Sequence, residues 1–389
     1  MCLAAIAVIA LAAAPGAAEV GPPAWEQFHY DAAHTGFNGR ERAVTRANVH
    51  KLSRIWAVQT GSSIEGSVAV SQSLVFVGSD DNTLRAYHLD GSLAWSRALG
   101  AGARFVATPA LVGDTVFGYT SSSIVTALDA ATGQPRWSRP ISSTQGAFPG
   151  SPTAAGAVVY AVPNELVALE ATTGSVRWTR PDVGCFLCSP AVGSGSLFIG
   201  GGPAVGRRLL ALNPATGAAR WSFQPQGRSN FSWSASPAVS GGRVFQAAFV
   251  QRGGTKTYSL YAFSASSGKR LWKDSVGSSE FLTSSSPAVA YGRIYYVSPG
   301  NRIYALRATD GKRLWSKAIA ASASSPVVAG GVVYFGAGLT VYALDSRTGK
   351  TLWRAHTTSD PADPAVFGGS LYIGSGDGTL YAYRLKSGG

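Results

Sequence analysis

From residue 52 onward, short apolar stretches alternate with polar, glycine-bearing breaks. SPAVG (189–193), SLFIGG (196–201) and RLLALN (208–213) follow one another, and a Thr-Gly turn then leads into a tryptophan-containing stretch. Turn residues return roughly every 8 to 12 positions, with apolar residues alternating between them, which predicts antiparallel strands throughout. Residues 250–259, VQRGGTKTYS, read as a longer, polar hairpin.

The pattern repeats. ALDAATGQPRW (127–137), ALEATTGSVRW (168–178), ALNPATGAARW (211–221), AFSASSGKRLW (262–272), ALRATDGKRLW (305–315) and ALDSRTGKTLW (343–353) share Ala, Gly and Trp at fixed offsets, and AYHLDGSLAW (86–95) is one residue shorter. The tryptophans Trp56, Trp95, Trp137, Trp178, Trp221, Trp272, Trp315 and Trp353 are 39, 42, 41, 43, 51, 43 and 38 residues apart. Four short strands in a period of that size make one propeller blade.

Eight opening motifs count the blades: SVAV (67–70), TPAL (108–111), SPTA (151–154), SPAV (189–192, 236–239 and 286–289), SPVV (325–328) and DPAV (363–366). The last unit stops at its turn glycine, whereas LSRIWAVQT (52–60) is a tryptophan strand with no inner strands before it. The fold class is therefore all-β: an eight-bladed β-propeller of four-stranded antiparallel blades, closed by the N-terminal strand 52–60 completing the last blade. Closure of that kind removes both free sheet edges.

Ala127, Asp129, Thr132, Gly133 and Trp137, and again Ala343, Asp345, Thr348, Gly349 and Trp353, match a full tryptophan-docking motif. With these motifs the chain resembles the pyrroloquinoline-quinone-type (PQQ-like) propeller repeat family over residues 52–389, together with the lead-in WEQFHYDAAHTGFN (25–38). The resemblance implies that all eight docking tryptophans are structural, each packed between neighbouring blades. In size and blade style the chain is similar to the non-catalytic propeller of the outer-membrane β-barrel assembly machinery.

Composition narrows the setting. Of 389 residues, 14% are charged and 11% aromatic, which excludes a disordered chain. Residues 2–18 form an apolar run ending in small residues, with Gly16 and Ala18 placed for cleavage before Glu19. The expected organisation is a signal peptide over 1–18, a lead-in segment over 19–51 and the propeller over 52–389. The protein is expected to be exported, periplasmic or extracellular, with no transmembrane helix, and to be a monomeric propeller.

The formal charge of +13 asks for an explanation. Fifteen of the 33 basic residues lie within three positions of a docking tryptophan, on the outermost strands. A perimeter belt does not suit a nucleic-acid groove, which gathers charge on one face. It suits either an anionic cell-envelope surface or protection of exposed sheet edges.

Catalytic chemistry is sparse. Quinoprotein dehydrogenases, which the chain resembles in blade count, hold the quinone and a Ca²⁺ in the central funnel beside a disulfide of adjacent cysteines. This chain has Cys185-Phe186-Leu187-Cys188 instead, a pair open to oxidation in an exported protein. Glu65, Glu280, Asp360 and Asp363 precede inner strands without calcium-loop spacing. GSDDNT (78–83) and GSGDGT (374–379) read as hairpin turns. No catalytic residue, metal site or cofactor is assigned. PQQ with Ca²⁺ enters only under an alternative reading, a PQQ-dependent alcohol or sugar dehydrogenase with a reduced funnel.

Four residues before the blade-opening prolines stand Phe105, Phe148, Phe186 and Trp233. This arc of aromatics near the tunnel mouth is the candidate surface for a protein or envelope partner, unless the rings serve as core. The primary expectation is an exported, non-catalytic scaffold.

Overall fold

The computed structural model describes residues 24–100, 104, 107–142, 150–162, 165–184, 188–201, 207–224, 231–279, 285–298, 300–319 and 323–386. The expected signal segment 1–18 lies outside them, as does Glu280. Among the described residues no helix is long and apolar enough to cross a membrane.

Eight sheets surround a central axis, seven of them built on four consecutive antiparallel strands and the eighth on three C-terminal strands and the strand 52–59. Blade 3 is typical: Thr153–Ala155, Val158–Ala161, Leu166–Glu170 and Val176–Arg180 run from the axis outward. Its two middle strands are almost wholly buried and its outermost is largely exposed. Blade 5 holds the longest strands, and Arg243–Arg252 with Thr255–Ser264 form the extended hairpin expected there.

Blade 8 joins the two ends of the propeller. The strand Leu52–Gln59 pairs antiparallel with Thr379–Leu385, from Leu52 opposite Leu385 to Gln59 opposite Thr379. It ends one residue before the limit expected from sequence, and the Thr60 amide turns to the carbonyl of Gly378.

Each docking tryptophan reaches into the next blade. The indole N–H of Trp56 donates to the Leu89 carbonyl, Trp95 to Ala130, Trp137 to Ala171, Trp178 to Pro214, Trp221 to Ala265, Trp272 to Ala308 and Trp315 to Ser346, all at 2.9–3.2 Å. Trp353 closes the circle on the carbonyl of Leu52. The motif glycine has a steric reason as well. Gly133 adopts φ +68° and lies flat against Trp95, where an added Cβ would come within 2.6 Å of the ring. A side chain there would both strain the turn and push the blades apart.

Candidate functional site

The lead-in segment does not lie beside the propeller; it crosses the end of the axial channel and bonds to every blade in order. Trp25 exchanges main-chain hydrogen bonds with Val70 of blade 1, and Leu111 of blade 2 donates to the Glu26 carbonyl. The Gln27 side chain takes both the N–H and the carbonyl of Ala154 in blade 3. Val192, Val239, Val289 and Val328 of blades 4 to 7 donate to the carbonyls of Ala32, Ala33, Thr35 and Gly36. Asn38 donates its side-chain amide to Val366 of blade 8. Here, among the described residues, lies the one departure from an all-antiparallel arrangement: Phe37 and Asn38 pair parallel with Val328 and Ala329. Sequence patterning missed this plug because its bonds run mostly through the main chain, which carries no side-chain signal.

The plug is buried and strained. Trp25, Gln27, His29 and His34 are fully or almost fully buried. His29, Tyr30 and His34 hold positive φ of 54°, 81° and 53°, a region costly for side-chain-bearing residues. His34 Nε2 lies 3.1 Å from Thr153 Oγ1, and the His29 ring faces the main chain of His34. Burial pushes the His29 imidazole down to about 4 and that of His34 to about 3, so both rings are neutral near pH 7.

A second layer surrounds the axis three residues earlier on every inner strand, roughly 10 Å from the plug. The Ser67 amide donates to Thr108 Oγ1, Thr108 to Ser151 Oγ, Ser151 to Ser189, Ser189 to Ser236, Ser236 to Ser286 and Ser286 to Ser325, at 2.8–3.0 Å. The last acceptor is Asp363 Oδ1, 2.5 Å from the Ser325 amide. These are the first residues of the eight opening motifs. A carboxylate thus occupies the place of a hydroxyl in blade 8, and loss of hydration pushes it up to about 6 against the bonds from Ser325. Ser67 Oγ, at the other end of the chain, is buried with no partner among the described residues.

The carboxylates considered from sequence are otherwise engaged or exposed. Glu65 and Asp80 both pair with Arg104, and Asp360 is exposed. Asp81 pairs with Arg85 and accepts the Thr83 amide, while Asp377 accepts the Thr379 amide and the Ser375 hydroxyl, which accounts for both acidic turns. Among the described residues no group of three His, Cys, Asp or Glu side chains has a metal-binding arrangement. Cys188 is buried and disulfide-bonded; Cys185 lies outside the described residues.

Of the aromatic arc, Phe105, Phe148 and Phe186 also lie outside the described residues. Trp233 is described, and it is half-buried at the seam of blades 4 and 5. Its ring stands edge-on to Phe223, Phe231, Tyr261 and Phe263, with centroids 4.9–6.4 Å away. Its indole N–H donates to the Arg207 carbonyl at 2.8 Å. Much of the basic belt is likewise occupied. Arg97, Arg139 and Arg180 donate to the turn glycine of the next blade, and Arg136, Arg177 and Arg313 pair with Asp114, Glu170 and Asp274.

Blade style, docking geometry and closure define a PQQ-like eight-bladed propeller. The chain belongs to the family described as outer membrane protein assembly factor BamB, whose model matches residues 21–201 and 186–389. Among solved structures it is similar to BamB from Moraxella catarrhalis, at 19% identity, with 87% of this chain and 99% of that one covered and a TM-score of 0.71. It is also similar to the quinohemoprotein alcohol dehydrogenase from Comamonas testosteroni, at 15% identity, covering 94% and 81% with a TM-score of 0.73. A europium-containing methanol dehydrogenase is similar at 15% identity, 94% and 99% coverage and a TM-score of 0.70. At these identities the likeness to solved structures is one of fold. No curated protein matches the chain by sequence.

Proposed function

We propose that this protein is an exported, non-catalytic scaffold that binds a protein partner of the outer-membrane assembly apparatus through the loop face opposite the plug. Membership of a family described as an outer membrane protein assembly factor carries this reading. The axis supports it. One end is sealed by residues 25–38, and Asp363 accepts the Ser325 amide as the last member of a series of amide-to-hydroxyl bonds. Glu65 and Asp80, on the side of that layer away from the plug, are bound to Arg104. Among the described residues this donor set does not fit a calcium-held quinone, which needs several free oxygen ligands converging on one point.

The test joins two measurements. Photocrosslinking residues at positions 65 and 360, both exposed at the end away from the plug, with position 317 on the perimeter as control, are introduced in the native host. Discrete adducts with an assembly component from the loop face alone, together with reduced outer-membrane β-barrel proteins on deletion, are the expected result. Stoichiometric binding of pyrroloquinoline quinone with Ca²⁺ and dye-linked oxidation of alcohols or sugars would instead establish the dehydrogenase.

A further inference from the structure

On the plug face, away from the loop face invoked above, a cavity of about 460 Å³ opens between the lead-in and blades 6 and 7. Four guanidinium groups line it, those of Arg42, Arg46, Arg293 and Arg347, with the single carboxylate of Glu41. That carboxylate is spent elsewhere. Its Oε1 accepts the amides of Ala43 and Val44, and its Oε2 accepts the amide of Gly369. Arg46 pairs with Asp345 at 3.3 Å. The other three meet no carboxylate among the described residues. Arg42 Nη1 donates to the carbonyls of Gly39 and Glu41, and Arg293 Nη1 donates to that of Ser346. Those bonds fix the guanidinium groups without cancelling their charge, and each keeps further N–H donors free. Arg347 is exposed, with no side-chain bond among the described residues.

The rim carries an aromatic ring. Tyr291 is 54% exposed, with its ring edge-on to Phe37 at 4.9 Å. With Gly292 it forms the two-residue turn between Ala290 and Arg293, whose positive φ values suit a tight hairpin. That turn and the Phe37 contact keep the ring beside the basic floor.

The geometry points to a binding site for a phosphate ester, with its phosphate held by Arg42, Arg293 and Arg347 and an attached polyol resting against Tyr291. Planar guanidinium forks match phosphate oxygens in pairs. A bare phosphate would leave most of the cavity empty, so the ligand carries an organic group. Two sources share this chemistry: a phospholipid headgroup and a soluble sugar or glycerol phosphate.

Calorimetry on the full mature chain would use sn-glycerol 3-phosphate, inorganic phosphate and vesicles of phosphatidylcholine with and without phosphatidylglycerol. Saturable binding to the ester, tighter than to inorganic phosphate, is expected and assigns a soluble ligand. Binding to phosphatidylglycerol vesicles alone assigns a headgroup. In either case R42Q/R347Q should lower affinity at least about tenfold, and R42K/R347K, which keeps charge but loses the planar fork, should fall between. Both variants replace exposed side chains, and melting curves verify that they fold. Absence of binding in every arm overturns the proposal, as does equal binding by the folded R42Q/R347Q variant.

Discussion

The backbone amide of Ser151 donates to the hydroxyl of Ser189, one blade further round the axis, at 2.8 Å. Seven such amide links, six onto hydroxyls and the last onto the carboxylate of Asp363, join the eight inner strands across seven of their eight junctions.

Asp363 titrates near 6 in the fold against 3.8 in an unfolded chain. The folded state therefore holds a proton that the unfolded state releases. This group favours folding most at low pH, and its contribution is lost as the pH rises from about 4 to about 6, by up to roughly 3 kcal/mol. Asp363→Ser restores the residue found in six other blades. Urea unfolding should show the variant more stable than the parent at pH 7.5 by about 1–3 kcal/mol, with the two converging near pH 4. Parallel curves across that range would show that Asp363 does not titrate as the burial implies.

The plug histidines act in the opposite sense. Their folded values of about 4 and about 3 lie below the 6.5 of an exposed ring, so the unfolded chain takes up protons first. Stability present above pH 6.5 is lost as the pH falls through the window from 6.5 towards those folded values. His29→Asn removes one titrating ring and tolerates the positive φ. The variant should be about 1–2 kcal/mol less stable at pH 7.5, yet its melting temperature should fall less steeply between pH 6.5 and 4.5. An unchanged slope would mean that His29 is not buried as a neutral ring.

Gly133→Ala places a methyl group against the Trp95 ring and strains a turn at φ +68°. A loss of about 2–4 kcal/mol in chemical denaturation is expected. Gly113→Ala supplies the control: its φ is +57°, but nothing lies within 4 Å of the added Cβ. Its cost should be limited to backbone strain, about 1 kcal/mol.

Trp233→Ala tests whether that ring is scaffold. Its N–H bond to Arg207 and its four aromatic neighbours predict a loss of about 2–4 kcal/mol and a changed near-ultraviolet circular dichroism band. A variant with unaltered stability and weaker partner capture would return Trp233 to the binding surface.

Blade number, strand order and closure were legible because each leaves a periodic mark: a turn glycine, a tryptophan and an opening Ser-Pro at fixed offsets. The Ser-Pro motif counted the blades, but its hydroxyl could not be read as an acceptor for a residue some 40 positions away, since no local pattern encodes that bond. The plug was hidden for a related reason. Gln27 and Asn38 look like ordinary polar residues until the main chain of the inner strands is seen to need partners. Trp233 entered the aromatic arc by its place four residues before a blade-opening proline. Its actual role depends on the close approach of Gly200, whose added Cβ would meet the Trp233 side chain at 2.7 Å, a contact between blades that composition does not reveal.

The plug also sets the order in which the molecule can be finished. Asn38 bonds to Val366, 328 residues later in the chain, and Trp353 bonds back to Leu52 across 301. The lead-in segment therefore has no complete binding partner until nearly the whole propeller has formed. Early blades can form locally, but the final cooperative step must wait for the C-terminal strand, and topology of such long range folds slowly. During that interval the open ring exposes unpaired edges, so a chaperone should speed recovery of the native state far more than it raises final stability.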